Sequence, residues 1–558
     1  MARNPATSVY RVLALTALLA LLAWACQTSE PAETLSKESY SEYLRTLSGD
    51  EYEGRAPATP GGSKAAEYIR DKFQAFGLQP VNGDSFYQQV SLVGMTASSD
   101  LTLEIGGAAR HSLRMPQDAV AWAGVEEERI EVSDADLVFV GYGVNAPEAH
   151  WDDYKGHDVE GKVLLMLVND PPSDDPTHFG GKALTYYGRW TYKLEEAARR
   201  GAVGVMLIHE TEMAGYPWGV VVNSWTGEQM SLPAQGEKST RFESWIKNQR
   251  ADELLKAAGS SFQEAREKAS SPEFEPIDLP FKVSVAFDNA IRRAEAPNVL
   301  AKLEGSDPEL KEQVVIVTSH YDHLGKAEAT VDFRNQDDLI YNGAFDNASG
   351  TAALLEMARV MVSWPHERRP KRSVIFAAVT AEEQGLLGSQ YYAQNPLVPL
   401  SETQANINID GVNVWGPAED IVAMGAERST LEPLVQQVAG EMEMTLSPDP
   451  SPEKGYYFRS DHFNFVKVGV PSVYLDMGLQ FRDKPDDWGR KLMEDYVANH
   501  YHQPSDEFDP EWPLTGALQL MEFTMKVIER VGNAEDMMQW REGDPFYEMR
   551  RRQLQAGS

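Results

Sequence analysis

The sequence contains a single cysteine, Cys26, so no intramolecular disulfide is possible and thiolates cannot build a metal site in the body of the chain. Basic residues are also scarce: 51 Lys and Arg stand against 85 Asp and Glu, which gives a formal net charge of −34. Such a surface repels phosphate backbones and anionic lipids. We therefore expect no nucleic-acid partner.

The N-terminus has the pattern of an export signal. The apolar run "VLALTALLALLAWA" (12–25) has the length of a signal-peptide core and is too short to span a bilayer comfortably. Cys26 follows at once and resembles the lipid-acceptor position of a bacterial lipoprotein, although Ala23 stands where Leu is usual. We expect residues 1–26 to be a signal peptide with a lipobox, residues 27–36 a tether, and a lipid anchor the only membrane contact. The protein would then face the periplasm or cell surface from the outer membrane; the alternative is plain secretion.

The composition of the chain changes at about residue 135. Strand-like apolar runs, separated by turn residues, continue to about 275 and predict an inserted module. Within it, "ARRGAVGVMLI" (198–208) resembles the usual signature of a protease-associated (PA) domain. The sequence thus predicts a main domain in two segments, 37–134 and 276–540, around a β-rich insert at 135–275. A charged tail, 541–558, would be peripheral.

Short β-rich runs alternate with helical stretches from about residue 296 onward. Examples are "QVVIVTSH" (313–320), "GTAALLEMARVMV" (350–362), "RSVIFAAVT" (372–380) and "ANINID" (405–410). This alternation predicts an α/β fold with a mostly parallel, mixed sheet covered by helices on both faces. In such sheets ligands bind at the carboxyl ends of the strands.

Candidate metal ligands follow these strands or lie in nearby loops. They are His320, Asp346, Glu383, Asp410 and His502. Two imidazoles and three carboxylates suffice for two divalent cations if one carboxylate bridges, and Glu382 then remains as a proton carrier. Taken singly, each residue has a simpler explanation: a packed histidine, a solvated glutamate pair, a turn aspartate or a helix cap.

The order of these motifs resembles the co-catalytic di-zinc aminopeptidases, the family of secreted bacterial and vacuolar aminopeptidases and of glutamate carboxypeptidase. Its pattern is matched in order by "HYD" (320–322), "DNASG" (346–350), "EEQGLLGS" (382–389), "NID" (408–410) and "YH" (501–502). The resemblance covers residues 296 to 535 and implies a zinc-exopeptidase-like fold with two zinc ions per chain.

The resemblance also implies a role for each motif residue. One ion would be bound by His320, Asp346 and Glu383, the other by Asp346, Asp410 and His502, with Asp346 bridging and Glu382 as general acid/base.

Further residues receive supporting roles from the same resemblance. Asp322 would orient His320, and Asp506 would orient His502. Tyr501 precedes the last histidine ligand, where its hydroxyl would stabilise an oxyanion. Arg459 resembles a residue near the substrate, with a structural salt bridge as the alternative. His323 and His462 fall outside the ligand pattern, as structural residues or supports of the ligands.

The function implied is that of an exported zinc aminopeptidase, which removes N-terminal residues from peptides through a metal-bridged hydroxide. A carboxypeptidase or a one-zinc glutaminyl cyclase of the same superfamily is the alternative; a carboxypeptidase needs a cationic group for the substrate carboxylate, which Arg189 or Arg459 could supply. A receptor-like protein that has lost the chemistry is the non-enzymatic alternative, disfavoured because all five ligands and Glu382 are present.

Overall fold

The computed structural model describes residues 34–98, 100–107, 111–175, 177–236, 238–327 and 337–556. The predicted signal peptide, Cys26 and most of the tether lie outside these ranges. In the described part of the chain, no helix is both long and apolar enough to cross a membrane.

The described strands, in chain order, are β1 (Gln79–Pro80), β2 (Tyr87–Ala97), β3 (Thr102–Gly107), β4 (His111–Leu113), β5 (Ala119–Ala123), β6 (Arg129–Phe139), β7 (Asn145–Ala146), β8 (Trp151–Asp152), β9 (Val163–Leu167), β10 (Gly204–His209), β11 (Glu228–Ser231), β12 (Phe242–Lys247), β13 (Ile277–Leu303), β14 (Val314–His320), β15 (Gly325–Lys326), β16 (Ile340–Tyr341), β17 (Ser373–Val379), β18 (Thr403–Asn408), β19 (Asp420–Met424), β20 (Thr445–Ser447) and β21 (Ser472–Met477).

The described α-helices are α1 (Lys37–Leu47), α2 (Pro60–Phe76), α3 (Trp190–Arg199), α4 (Thr211–Ala214), α5 (Trp218–Trp225), α6 (Asn248–Ala257), α7 (Phe262–Ala269), α8 (Ser349–Ser363), α9 (Leu387–Gln394), α10 (Glu432–Glu441), α11 (His462–Lys467), α12 (Trp488–Asn499), α13 (Thr515–Asn533) and α14 (Tyr547–Ala556).

The main sheet has the order β20–β19–β21–β18–β14–β17–β13–β2–β11, and its four central strands, β21, β18, β14 and β17, are parallel. Both faces of β14 are buried. Val315 and Val317 join the core that includes α1, α2 and α8, whereas Val314 and Ile316 join a second core with Tyr392 of α9. A strand buried on both faces must be apolar throughout, which explains the unbroken "VVIV" run. The predicted α/β class, with helices on both faces, is confirmed.

A second sheet has the order β5–β12–β10–β9–β6–β13–β3–β4. Strand β13 belongs to both sheets: its first part pairs with β3 and β6, and from Asn289 onward it pairs with β2. The predicted insert boundary at 134/135 falls inside β6, and the second sheet already begins at Thr102. The change in composition therefore lies later than the start of the second sheet, because β3, β4 and β5 precede it along the chain.

The C-terminal segment 541–558 packs against the main domain through α14. The guanidinium of Arg550 is fully buried and donates to the carbonyls of Leu400, Thr403 and Met538. The charged tail is therefore anchored by one arginine that satisfies three backbone acceptors.

Candidate metal centre

Three parallel strands deliver the candidate residues to one edge of the main sheet. His320 is the last residue of β14 and pairs in register with Val379, the last residue of β17. Glu382 and Glu383 follow β17 within four residues, and Asp410 follows β18 by two. The carboxyl ends of parallel strands thus collect the imidazole and the carboxylates, as the sequence predicts.

The loop before α8 brings in Asp346. Its backbone is held by the carboxylate of Asp506, which accepts hydrogen bonds from the backbone N–H groups of Phe345 (2.9 Å) and Asp346 (3.1 Å). Asn347, fully buried, accepts a hydrogen bond from the N–H of Gly411 at 3.0 Å. These contacts tie the Asp346 loop to the loop that carries Asp410.

Two groups of three ligands share Asp346. Nε2 of His320 lies 3.0 Å from Oδ1 of Asp410 and 3.4 Å from Oδ1 of Asp346. Nε2 of His502 lies 3.0 Å from Oε2 of Glu383 and 3.4 Å from Oδ2 of Asp346. All five predicted ligands therefore come together, with Asp346 in the bridging position. The predicted assignment of the ligands to the two ions is wrong, however, because Asp410 lies beside His320 and Glu383 lies beside His502.

The residues present fit divalent cations. Two ligands bound about 2.0–2.1 Å from one tetrahedral zinc ion are about 3.3 Å apart, which is close to the separations within each group. The ring nitrogen Nε2 of His502 is buried and makes no hydrogen bond of good geometry, although an oxygen of Glu383 lies 3.0 Å away, as two ligands of one cation would. Burial alone would lower the pKa of His502, but the carboxylates of Glu383 and Asp346 raise it to about 10. The cluster thus creates a strong local preference for positive charge.

Asp322 has a different partner from the one expected. Its carboxylate accepts the backbone N–H of Glu382 at 3.0 Å and that of Glu383 at 3.3 Å, while Nδ1 of His320 contacts the backbone carbonyl of Asp322 at 3.2 Å. The Asp322 carboxylate lies 3.9 Å from that nitrogen, too far for a hydrogen bond. Asp322 therefore orients His320 through its main chain and the glutamate pair through its side chain. Asp506, likewise, supports Asp346 and not His502.

Glu382 lies beside the ligands, and its pKa is raised. Burial raises its pKa well above the ordinary value; His320 lowers it, and Asp410 and Glu383 raise it further. A carboxyl group with a raised pKa takes up a proton readily near neutral pH, which suits a general acid/base.

The distal nitrogen of His502 is held by a residue that sequence reasoning missed. Nδ1 of His502 lies 2.8 Å from Oγ of Ser224, at the end of α5, and the amide of Asn223 donates to the backbone carbonyl of His502 at 2.9 Å. Both residues lie in the segment between β10 and β12 of the second sheet. Ser224 precedes His502 by 278 residues in the sequence. No local motif connects them with the site.

Ser460 also supports the centre and was not singled out by sequence, whereas His323 and His462 were named as structural residues or supports of the ligands. Oγ of Ser460 donates to Asp410 at 2.6 Å. Nδ1 of His323 lies 2.6 Å from Oε1 of Glu383, so this histidine supports a ligand, which is one of the roles expected for it. His462 is fully buried and contacts Tyr474 by its ring, as a structural residue would.

Arg55, in the N-terminal "EGR" segment, was likewise not singled out by sequence and lies beneath the loops of the centre. Its buried guanidinium donates to the carbonyls of Leu47, Tyr321, Asn342 and Gly343. Burial lowers its pKa to about 10, although Asp322 and three other carboxylates of the site oppose the shift. The "EGR" motif thus contributes a fixed positive charge to an otherwise acidic centre.

Tyr501 and Arg459 lie between this centre and the second sheet. The ring of Tyr501 packs 3.9 Å from that of His502, centroid to centroid, and burial raises the pKa of its phenol, with Asp346 and Glu383 adding to the effect and Arg459 opposing it. Arg459 donates to the carbonyl of Ala214 at 2.9 Å and forms no salt bridge with any described residue.

Comparison with known proteins agrees with this geometry. Peptidase family M28 matches residues 298–524. A probable zinc metalloprotease of Pyrenophora tritici-repentis is 38% identical over 134 residues, 23% of this chain and 21% of that protein. Aminopeptidase YwaD of Bacillus subtilis is 29% identical over 208 residues, 35% of this chain and 36% of that protein. The chain thus spans between a fifth and about a third of the length of these curated relatives.

Among solved structures, an aminopeptidase from Aneurinibacillus sp. strain AM-1 shares the fold with a TM-score of 0.53, at 18% identity, over 91% of this chain and 96% of that chain. A parallel sheet whose strand ends gather imidazoles and carboxylates around a shared aspartate is typical of a site for divalent cations. Residues 298–524 of this chain are thus similar to peptidase family M28.

Proposed function

We propose that the protein is a zinc-dependent aminopeptidase with two zinc ions per chain. The observation that carries this proposal is the arrangement of two His–carboxylate groups around Asp346, with Glu382 beside them. Zinc accepts this mixture of imidazole and carboxylate ligands, and the named relatives include a zinc metalloprotease and aminopeptidases. Peptides are the proposed substrates.

His320, Asp346 and Asp410 would hold one ion, and His502, Asp346 and Glu383 the other. When bound, the ions would supply Lewis-acid activation of water and of the scissile carbonyl. Glu382 takes the proton from the attacking water on its carboxylate and returns it to the departing amine. Its raised pKa supports this transfer, because the protonated form must persist until the amine leaves.

The neighbouring side chains prepare that transfer. Asp322 fixes the peptide N–H groups of Glu382 and Glu383, so the proton carrier and the ligand keep different orientations at the end of β17. Tyr501 is placed to donate its hydroxyl to the oxygen that gains charge when the carbonyl is attacked. Burial raises the pKa of this phenol, so the hydroxyl stays protonated.

The Glu382→Gln variant tests this mechanism. Glutamine keeps the size of the side chain but can neither take up nor release a proton near neutral pH. We therefore expect hydrolysis of leucine p-nitroanilide to fall by at least about 100-fold, within the range of general acid–base catalysis. The zinc content, measured by elemental analysis, should stay at two ions per chain because Glu382 is not a ligand. Unchanged hydrolysis in the variant would refute the assigned role.

Export and a lipid anchor on Cys26 belong to the same proposal. They rest on the sequence of residues 1–26 alone. Metabolic labelling with a fatty acid, compared between the parent and Cys26→Ala, tests the anchor.

A further inference from the structure

Residues 223–231 of the insert leave the second sheet and join the main one. Along the chain they lie between β10 and β12 of the second sheet, yet β11, within them, pairs antiparallel with β2 and forms the edge of the main sheet. Met230 stands opposite Gly94 in this pairing. We call residues 223–231 the clamp, because each of its ends contacts a different loop of the candidate metal centre.

The first end of the clamp holds the loop of His502. The side-chain amide of Asn223 donates to the backbone carbonyl of His502 at 2.9 Å and to Oε1 of Gln503 at 3.2 Å. Oγ of Ser224 lies 2.8 Å from Nδ1 of the same histidine. The clamp therefore fixes both the main chain and the ring of this candidate ligand.

The second end of the clamp holds the turn that carries Glu383. The backbone N–H of Met230 donates to Oε1 of Gln384, the next residue, at 2.8 Å. The side chain of Met230 is buried in an apolar cluster that also contains Ala381 and Leu387. The N–H of Leu387 bonds to the carbonyl of Ala381 at 3.0 Å and closes the turn. A contact to Gln384 therefore also fixes the main chain of Glu383.

An ion pair ties the clamp to the main sheet between these two ends. Nε and Nη2 of Arg292, on β13, donate to the two carboxylate oxygens of Glu228 at 2.9 and 2.6 Å. Such paired hydrogen bonds are the strong arrangement of arginine with a carboxylate. A side chain at Gly94 would collide with the Glu228 carboxylate, so this glycine leaves room for the pair. The clamp thus has an anchor outside the metal centre.

The other metal position receives its support from the main domain. Ser460 donates to the carboxylate of Asp410 and Tyr474 to its backbone carbonyl, both at 2.6 Å. Thr351 donates to the carbonyl of His320 at 2.7 Å. In the part of the chain that the structure describes, no hydrogen bond joins the clamp to His320 or Asp410. The clamp therefore acts on one of the two positions.

We propose that the clamp positions His502 and Glu383 relative to each other, with Gln384 as its positioning residue, and that docking of the clamp and zinc binding at this position stabilise each other. The two ligands come from separate loops, yet Nε2 of His502 and Oε2 of Glu383 lie 3.0 Å apart. Ligands that are already held together lose less conformational freedom when the ion binds. By thermodynamic reciprocity, the bound ion stabilises the docked clamp by the same factor. The proposal rests on the proposed zinc centre.

Zinc affinity tests the role of Gln384 at each position separately. Competition with a chromophoric chelator measures binding in two backgrounds: His320→Ala keeps the position of His502, and His502→Ala keeps the other. Adding Gln384→Ala should weaken binding by about 3- to 10-fold in the first background, the equivalent of one hydrogen bond, and by less than about 2-fold in the second. Gln436→Ala, which removes an exposed hydrogen bond to Glu432 on α10, is the matched control and should change neither. An equal loss at both positions, or no loss at either, would overturn the proposal.

Hydrogen exchange tests the reverse direction of the linkage. Saturation of the metal-free chain with zinc should slow exchange of the backbone N–H groups of the clamp by at least about 3-fold, because the bound ion disfavours local opening. The slowing should persist in His320→Ala and vanish in His502→Ala. Strand β10, in the second sheet, is the internal control and should exchange at one rate in all samples. A clamp that exchanges at the same rate with and without zinc, while the segment around His502 slows, would contradict the linkage.

Both measurements need no peptide, so the clamp and the peptidase function can fail separately. Zinc-dependent protection of the clamp in a chain that hydrolyses no peptide supports the clamp and rejects the peptidase. Active hydrolysis, together with a clamp that zinc does not protect, rejects the clamp and retains the peptidase.

Discussion

Replacing Ser224 by alanine should weaken one of the two proposed metal positions and spare the other. Ser224 and His502 are 8% and 6% exposed, and Oγ of Ser224 lies 2.8 Å from Nδ1 of His502. When Nε2 binds a metal, Nδ1 carries the proton and donates it to the serine. In Ser224→Ala this buried N–H loses its acceptor, which costs about 1–3 kcal/mol.

That cost corresponds to a loss of about 10- to 100-fold in metal affinity, the range known for groups that orient metal-bound histidines. The appropriate assay is competition with a chromophoric zinc chelator, which resolves two binding steps. Only the ion held by His502, Asp346 and Glu383 should be released more easily. The ion held by His320 and Asp410 should keep its affinity, because Ser224 does not contact those ligands.

Thr226→Ala is the matched control for this experiment. Thr226 directly follows α5, and its hydroxyl bonds to the carbonyl of Val222 at 2.6 Å within the same segment, away from His502. Its replacement removes a hydroxyl and should leave both zinc affinities unchanged. If Ser224→Ala binds two zinc ions as tightly as the parent, the second sheet does not support the metal centre.

Two further predictions concern stability. Arg55→Met removes the donors for four buried carbonyls. The free energy of unfolding of the main domain should therefore fall by about 3–5 kcal/mol, as when one partner of a buried charged network is lost. Urea unfolding measures this loss, and Arg70→Met, on the surface, is the control. An Arg55→Met protein as stable as the parent would contradict the role given to this residue. Burial in the second sheet lowers the pKa of His209 to about 4. Below about pH 6.5 the unfolded chain therefore binds a proton at this residue that the folded chain does not, so the free energy of unfolding falls as the pH falls. Between pH 7 and 5 the loss should be about 2 kcal/mol, and it should be absent in His209→Gln; a parallel loss in both proteins would show that other groups cause it.

The main sheet and the five ligands could be predicted because their signals are local. An apolar run such as that of β14 indicates a strand buried on both faces, and the polar residue that ends it lies at the carboxyl edge. Helix α2 carries a local signal of the same kind: Ile69 and Phe73 lie on its buried face, and Gly77, with a positive φ of 86°, follows its last residue. The order of motifs then placed the ligands at one centre.

The contacts that no local pattern encodes could not be predicted. The pairing of His320 with Asp410, and of His502 with Glu383, depends on how loops cross above the sheet. The support from Ser224 depends on the packing of a distant helix. The predicted insert boundary at 134/135 lies inside β6, whereas the second sheet includes strands from Thr102 onward, and no change in composition marks that earlier point.

Strand β13, together with β2, connects the insert to the main sheet. Because Ala97 of β2 pairs with Asn289 of β13, everything between them forms the tip of a single enlarged β-hairpin. A two-residue Asn-Gly turn could in principle close that hairpin, since such turns match the twist of paired strands. The shortened protein would retain all five ligands and Glu382 but lose Ser224 and Arg189. The five predicted ligands and the side chain of Ser224 that supports His502 are thus encoded in separate stretches of the sequence.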